Sequence, residues 1–232
     1  KFLLSRNGSI LADDMGLGKT YQSIVAAIET GAEKVLVVCP ANAKINWFRE
    51  IANFVSEDEI SILKTGHWNP KRFTIINYDI LKNFHTLIDR RKTYKDWEIN
   101  RQLVDEGYDL IILDEAHKIF RMISNGSKIG VQFYELIMKL DCKLLFLTGT
   151  PITADIFEIV PCFNMLSGNV LFPENKELFK EYFISKERLI NEDTGLREIK
   201  LININKLQNR IYGLVSYATH IDLTHFPTAL PD

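Results

Sequence analysis

Residues 10–20 read Ile10-Leu11-Ala12-Asp13-Asp14-Met15-Gly16-Leu17-Gly18-Lys19-Thr20, an apolar run that passes through a glycine-bearing turn into Lys-Thr. Gly8 to Ala12 supplies a short apolar strand, and a helix is expected from about Lys19 to Thr30. A Gly-rich loop between a strand and a helix presents backbone N–H groups and the positive end of a helix dipole to a polyphosphate. Gly16, Leu17, Gly18, Lys19 and Thr20 are therefore candidate phosphate-binding residues, with Lys19 reaching the β and γ phosphates and Thr20 holding a magnesium ion. The strict P-loop spacing asks for glycine five residues before Gly18, where this chain has Asp13. Taken alone, the segment also reads as a tight strand-to-helix turn with an exposed lysine.

Working outward, Lys34 to Cys39 is a continuous apolar run stopped by Pro40, and Leu110 to Leu113 and Leu144 to Leu147 are similar runs. Such runs mark strands buried on both faces. Ile60 to Leu63 and Phe73 to Asn77 are further strand candidates. Phe48, Ile51, Ala52 and Val55 fall on one helical face, and Phe133, Leu136, Ile137 and Leu140 on another. Strands alternating with helices predict an α/β domain whose mainly parallel sheet is flanked by helices. Beyond Pro151 the pattern turns helical (Asp155 to Leu166, Lys176 to Phe183, Asn205 to Val215), with a polar stretch around Asn191 to Gly195 that suits a hairpin. The expected organisation is a core at 1–150 and a helical appendage of the same lobe at 151–232. A polar insertion at about 82–107 is too long for an ordinary connection, and is expected to carry helix of its own or to be mobile.

Asp114-Glu115-Ala116-His117 follows the apolar strand Leu110 to Leu113 directly. Two carboxylates at the end of a buried strand are costly unless a cation or hydrogen bonds compensate them. A divalent metal bound by Asp114 supplies that compensation, leaving Glu115 to orient and deprotonate an attacking water. By itself the tetrapeptide is also compatible with an acidic helix N-terminus stabilised by the macrodipole.

The chain has 232 residues, 46% hydrophobic and 25% charged, with a formal net charge of -2. These values argue against a disordered or collagen-like chain, and no apolar run approaches the roughly 18 residues of a membrane span. Any nucleic-acid contact must come from a local basic surface. Cys39, Cys142 and Cys162 lie far apart with no CxxC pair, which points away from a disulfide framework or zinc site and towards a reducing compartment. His220, Asp222 and His225 make too small a cluster for a metal site. The start at Lys1, without initiator Met or apolar signal, reads as a piece of something larger.

Together these residues resemble the Swi/Snf-type ATPases of helicase superfamily two. Ile10 to Thr20 with Gln22 is similar to the family's nucleotide-binding motif, including the departure at Asp13. Val37-Val38-Cys39-Pro40 with Trp47 and Glu50 resembles motif Ia, Ile75-Ile76-Asn77-Tyr78 motif Ib, Asp114 to His117 motif II, and Leu147-Thr148-Gly149-Thr150-Pro151 motif III, all in the family's order. The resemblance implies the first of two RecA-like lobes that close around ATP and Mg2+ while tracking double-stranded DNA. It adds Gln22 to the nucleotide-binding set and makes His117, Thr148 and Thr150 the coupling residues between nucleotide and DNA.

The same resemblance places motifs IV to VI, with their arginine fingers, in a second lobe after Asp232, and the adenine-reading Gln segment before Lys1. A finger contributes about 10³ to 10⁵ in rate, so the lobe alone is expected to hydrolyse ATP very slowly. Departures occur at Phe120 and Arg121, where a Lys-Asn pair is common, at Thr153 and Ala154, where Gln and Asn are common, and at Ser216 to His220. They point to a divergent member such as a transcription-associated ATPase of a large DNA virus. The implied location is intracellular: nuclear, or cytoplasmic or in the virion for a viral protein.

Ligands in open α/β folds bind at the carboxyl ends of strands. Pro40, Asn42 and Lys44, leading into a helix N-terminus, and Asn77 and Tyr78, at the next strand end, are the candidate nucleic-acid contacts. Contacts of this kind are to backbone and predict salt-sensitive, sequence-independent binding. Trp47 reads first as core packing, and Arg90 to Lys95 equally as a DNA-facing patch or a solvated face. The competing functions are a DEAH-type RNA helicase lobe, or a catalytically vestigial protein-docking module.

Overall fold

The structure, a computed structural model, describes residues 7–64, 68–89, 92–99, 105–185, 189–190, 197–198 and 200–219. In chain order the first half runs β1 (Gly8–Leu11), α1 (Lys19–Glu29), β2 (Val35–Cys39), α2 (Lys44–Ala52), β3 (Ile60–Ile62), β4 (Phe73–Asn77), β5 (Lys82–Asp89) and β6 (Lys92–Ile99). The second half runs β7 (Leu110–Asp114), α3 (His117–Ser124), α4 (Lys128–Ile137), β8 (Lys143–Leu147), α5 (Ile159–Ser167), α6 (Lys176–Phe183), β9 (Leu189–Ile190), β10 (Arg197–Glu198), α7 (Ile204–Ile211) and β11 (Val215–Ser216).

Seven strands form one sheet in the order β11-β1-β8-β7-β2-β4-β3, and every pairing in it is parallel. This is the α/β architecture expected from the apolar runs. Val35, Val37 and Cys39 turn to one face with Trp47, Ile51 and Ile24. Leu36 and Val38 turn to the other with Ile119, Phe120, Phe133 and Phe163. All five residues of β2 are buried, which explains why its sequence has no polar alternation.

Because the strands are parallel, their carboxyl ends share one edge of the sheet. β8 lies between β1 and β7, with Leu11 opposite Leu147 and Leu147 opposite Asp114. On the far side of β7, Leu113 is opposite Val38, and Cys39 is opposite Asn77. The loops after β1, β8, β7, β2 and β4 therefore emerge side by side.

Two elements differ from expectation. The segments at 82–89 and 92–99, expected as helix or mobile chain, are strands of an antiparallel hairpin. Their register sets Phe84 opposite Trp97, Leu87 opposite Tyr94 and Ile88 opposite Thr93. The helix expected to reach Val215 stops at Ile211, and Val215–Ser216 adds a seventh strand beside β1. The hairpin around 191–195 has its two arms, β9 and β10, in antiparallel pairing. Arg90, Arg91, residues 191–196, and His220, Asp222 and His225 lie outside the described residues. No helix among the described residues is long and apolar enough to cross a membrane.

Candidate nucleotide site

The loop after β1 is shaped by Gly16 and Gly18, whose φ angles are 81° and 74°. Side chains rarely adopt this left-handed region, and a Cβ at either position would meet nothing within 4 Å, so the loop faces open space. Gly18 is also the N-cap of α1 and provides no side-chain acceptor. The first-turn N–H groups of α1 thus end in an uncapped cradle suited to an anion. Asp13 has no positive φ, so the position where the strict P-loop has glycine makes no such backbone demand here.

Lys19 folds over this loop, its Nζ donating to the backbone oxygens of Asp13 at 2.6 Å and Asp14 at 2.9 Å. Gln22 Nε2 donates to Leu17 O at 2.9 Å and Asp13 Oδ2 at 3.3 Å. Asp13 is 3% exposed, and its Oδ1 has no hydrogen-bond partner among the described residues. Thr20 stands in the first turn of α1, half-buried, with its carbonyl accepting from Ser23 Oγ.

Asp114 ends β7 on the same edge. Burial raises its pKa and the charge of Glu115 adds to this, while the hydrogen bond from Trp47 and the charge of Lys19 pull it down. A half-buried carboxylate followed by a second one, on the sheet edge that also carries the threonine-bearing loop, is a donor set that suits a hard divalent cation. Trp47 Nε1 donates to Asp114 Oδ2 at 2.9 Å, and the Tyr78 hydroxyl donates to the Asp114 backbone oxygen.

Glu115 has a φ of 55°, an uncommon conformation for a residue with a side chain and one that concentrates at functional sites. Its Oε2 lies 3.3 Å from His117 Nδ1, and the same nitrogen is 2.9 Å from Thr148 Oγ1. Thr148 is buried, and its hydroxyl accepts from the Thr150 N–H at 3.1 Å. The loop after β8 is tied to both neighbours: Thr148 N donates to Leu11 O and Ala116 N to Leu147 O, each at 3.1 Å. A Cβ on Gly149 would sit 3.6 Å from Asp13 O and 3.7 Å from Met15 Cγ. The structure thus brings Lys19, Asp114, Glu115, His117, Thr148 and Thr150 to one place.

The expected nucleic-acid residues divide. Lys44 Nζ donates to Asn77 Oδ1 at 3.3 Å, and Asn77 Nδ2 to Asp79 Oδ2 at 3.1 Å. Asn42 is exposed and Pro40 half-buried at the mouth of the same helix. Tyr78 is half-buried, and its hydroxyl turns inward to the Asp114 backbone oxygen. Burial first, then the charges of Asp114, Cys39 and Glu115, keep that hydroxyl protonated. Trp47 packs in the core as expected. It is 1% exposed and also holds the acidic residue, a role foreshadowed only by its place in the Ia-like segment.

Glu158 went unnoticed in the sequence. It is 1% exposed, and its Oε2 accepts from Thr153 N at 2.7 Å and Thr153 Oγ1 at 3.1 Å. Its only signal was the departure at Thr153, which here supplies both bonds and fixes the turn after Pro151.

The family description "SNF2-related domain" matches residues 3–215. The "Termination factor NPH-I homolog" of African swine fever virus (isolate Tick/South Africa/Pretoriuskop Pr4/1996) is 29% identical over 97% of this chain and 30% of its own length. The "Uncharacterized ATP-dependent helicase YqhH" of Bacillus subtilis (strain 168) is 28% identical over 90% of this chain and 34% of its own. The chain thus spans about a third of the length of these two relatives. Among solved structures, the "Sulfolobus solfataricus SWI2/SNF2 ATPase core in complex with dsDNA" shares the fold, with a TM-score of 0.65 and 24% identity over 96% of this chain and 43% of that one.

Proposed function

This chain belongs to the SNF2-related domain family, and from that premise we propose that it is the ATP-binding lobe of an ATP-dependent double-stranded DNA translocase. In that role, remodelling or transcription-associated, it couples Mg-ATP hydrolysis to movement along DNA. The observation that carries the reading is the meeting of the loops after β1, β7 and β8, which Thr148 N bonded to Leu11 O and Ala116 N bonded to Leu147 O hold side by side. The relative described as an ATP-dependent helicase supports the nucleotide half. Duplex DNA enters through the resemblance to Swi/Snf-type ATPases.

The residues divide the work. The amides of Gly16 to Thr20 and the Gly18 cap receive the phosphates, and Lys19 exchanges its two carbonyl partners for β- and γ-phosphoryl oxygens. Gln22 braces the loop from beneath. Thr20 and Asp114 are the residues that would hold Mg2+, which when bound neutralises charge on the phosphoryl oxygens. Glu115 accepts a proton from the attacking water as the water oxygen forms the new bond to the γ phosphorus and the bond from that phosphorus to the β–γ bridging oxygen breaks, ADP leaving with the bonding electrons. His117 senses Glu115 and passes the change through Thr148 to Thr150. Pro40, Asn42, Lys44 and Asn77 grip the DNA backbone. A second RecA-like lobe supplies an arginine finger, so turnover by this lobe alone is slow. The work is intracellular, where DNA is found.

The test is ATP turnover by the full-length protein with duplex DNA, single-stranded RNA or neither. Stimulation by duplex DNA, abolished in Lys19→Ala with the fold intact, is the expected outcome. Stimulation by RNA alone would replace the track with RNA, and unchanged turnover in Lys19→Ala would make the site a vestige.

A further inference from the structure

Asp114 is gripped by two aromatic donors that come from elsewhere in the chain. Trp47 reaches its carboxylate and Tyr78 its backbone oxygen. An indole has a single N–H donor and no acceptor, and burying it without a partner is unfavourable. Trp47 is 1% exposed, so its bond to Asp114 is the condition on which a tryptophan, rather than a purely apolar side chain, occupies that part of the core. Tyr78 is held further by Lys118, whose Nζ lies 6.0 Å from the ring centroid.

The two donors belong to the two segments with candidate nucleic-acid contacts. Trp47 lies one turn along α2 from Lys44, and Tyr78 directly follows Asn77. Lys44 and Asn77 are themselves joined at 3.3 Å. The four residues and Asp114 therefore close a ring: Lys44 at the start of α2 joined to Asn77 at the end of β4, and the two aromatic donors, one from each segment, both bonded to Asp114. A polyanion that takes Lys44 away from Asn77 pulls on both segments at once.

We infer that Trp47 and Tyr78 are positioning residues that set Asp114 for its magnesium ion, and that DNA backbone bound at Lys44 and Asn77 tightens the metal site through them. The inference rests on the proposed role of Asp114 as a magnesium ligand. Partners of metal ligands typically govern about 10- to 100-fold in metal affinity.

The experiment is equilibrium binding of a fluorescent ADP analogue to the full-length protein, titrated with Mg2+ and repeated in EDTA. Trp47→Phe should raise the Mg2+ concentration for half-maximal enhancement by about tenfold or more, and leave affinity in EDTA unchanged. Tyr78→Phe, which removes a single oxygen and little volume, should raise it several-fold, and decides the matter alone should Trp47→Phe fail to fold. Duplex DNA should lower that concentration in the wild type and much less in either variant. A general loss of stability would weaken binding equally with and without Mg2+.

Unchanged Mg2+ dependence in Tyr78→Phe and in a folded Trp47→Phe, alongside an Asp114→Asn variant that has lost it, overturns the positioning role. Absence of any DNA effect on the wild type overturns the coupling. Mg2+ dependence retained in Asp114→Asn sinks the ligand role itself, a separate failure.

Discussion

The two walls of the nucleotide site are built on different plans. On the Lys19 wall the long side chains bond to their own loop: Lys19 to the carbonyls of Asp13 and Asp14, Gln22 to Leu17 and Asp13. On the Asp114 wall the support comes from far along the chain, from Trp47, Tyr78 and Thr148. A loop that satisfies itself must trade bonds when a phosphate arrives, so its residues act mainly on binding. A carboxylate held from outside is already oriented, and preorganised groups act mainly on the rate of the chemical step.

The largest expected effects test that contrast directly. Glu115→Gln should lower kcat by about 10² to 10⁴, the usual contribution of a general base, with nucleotide affinity nearly intact. Lys19→Ala should instead raise the Kd for nucleotide strongly, in addition to stopping turnover. Single-turnover kinetics and equilibrium binding on both variants read the two quantities separately. Equal losses of affinity in both would erase the distinction between the walls.

Next in size is a stability effect. Trp47→Ala empties a fully buried site on the Asp114 wall, and such truncations cost about 3 to 5 kcal/mol. Met15→Ala, on the other wall and 80% exposed, should fall within about 0.5 kcal/mol of wild type. Urea unfolding of the two variants measures the difference, and similar midpoints would mean that Trp47 is not the anchor its burial indicates.

What the sequence disclosed about these walls follows the range of the interactions involved. Gly16 to Thr20 and Asp114 to His117 are contiguous stretches whose chemistry is visible as a string, and β2, β7 and β8 are apolar on both faces, so periodicity alone marks them. Trp47 and Asp114 are 67 residues apart and Tyr78 and Asp114 36 apart, so their meeting depends on β2 lying between β7 and β4. No local pattern encodes that order. The β5–β6 hairpin was hidden because its charged residues mask the cross-strand pairs, which exist only once the register is known. Val215–Ser216 is a strand only because β1 has a free edge to offer it. Glu158 was invisible for the same kind of reason, since a buried glutamate makes sense only with Thr153 turned onto it.

A smaller effect concerns the joint between the walls. Thr148→Val keeps the side-chain shape and removes the hydroxyl shared by His117 and the Thr150 N–H. Losing one partner of a buried hydrogen bond costs about 1 to 3 kcal/mol, to be read in thermal or urea unfolding. The ratio of DNA-stimulated to basal turnover should fall about tenfold, within the ordinary range of coupling between sites. A variant that unfolds earlier yet keeps that ratio would leave the loop after β8 a structural tie and nothing more.

The smallest effect probes how dry the floor beneath Asp114 is. Cys39 ends β2 at 0% exposure, and burial first, then the charge of Asp114, push its thiol from 9.0 up to about 12, with Lys44 pulling the other way. A group whose folded pKa is raised keeps its proton while the unfolded chain loses it. Its contribution to stability is therefore full below pH 9 and declines as pH climbs from 9 towards 12. By linkage the loss reaches about 1 kcal/mol at pH 10. Urea unfolding of wild type and Cys39→Ala at pH 7.5 and pH 10 isolates this one group, since every other titration is common to both. The wild type should lose about 1 kcal/mol more than the variant between the two pH values. An equal loss would mean that water reaches the end of β2, and Asp114 would then owe its orientation to solvent as much as to Trp47 and Tyr78.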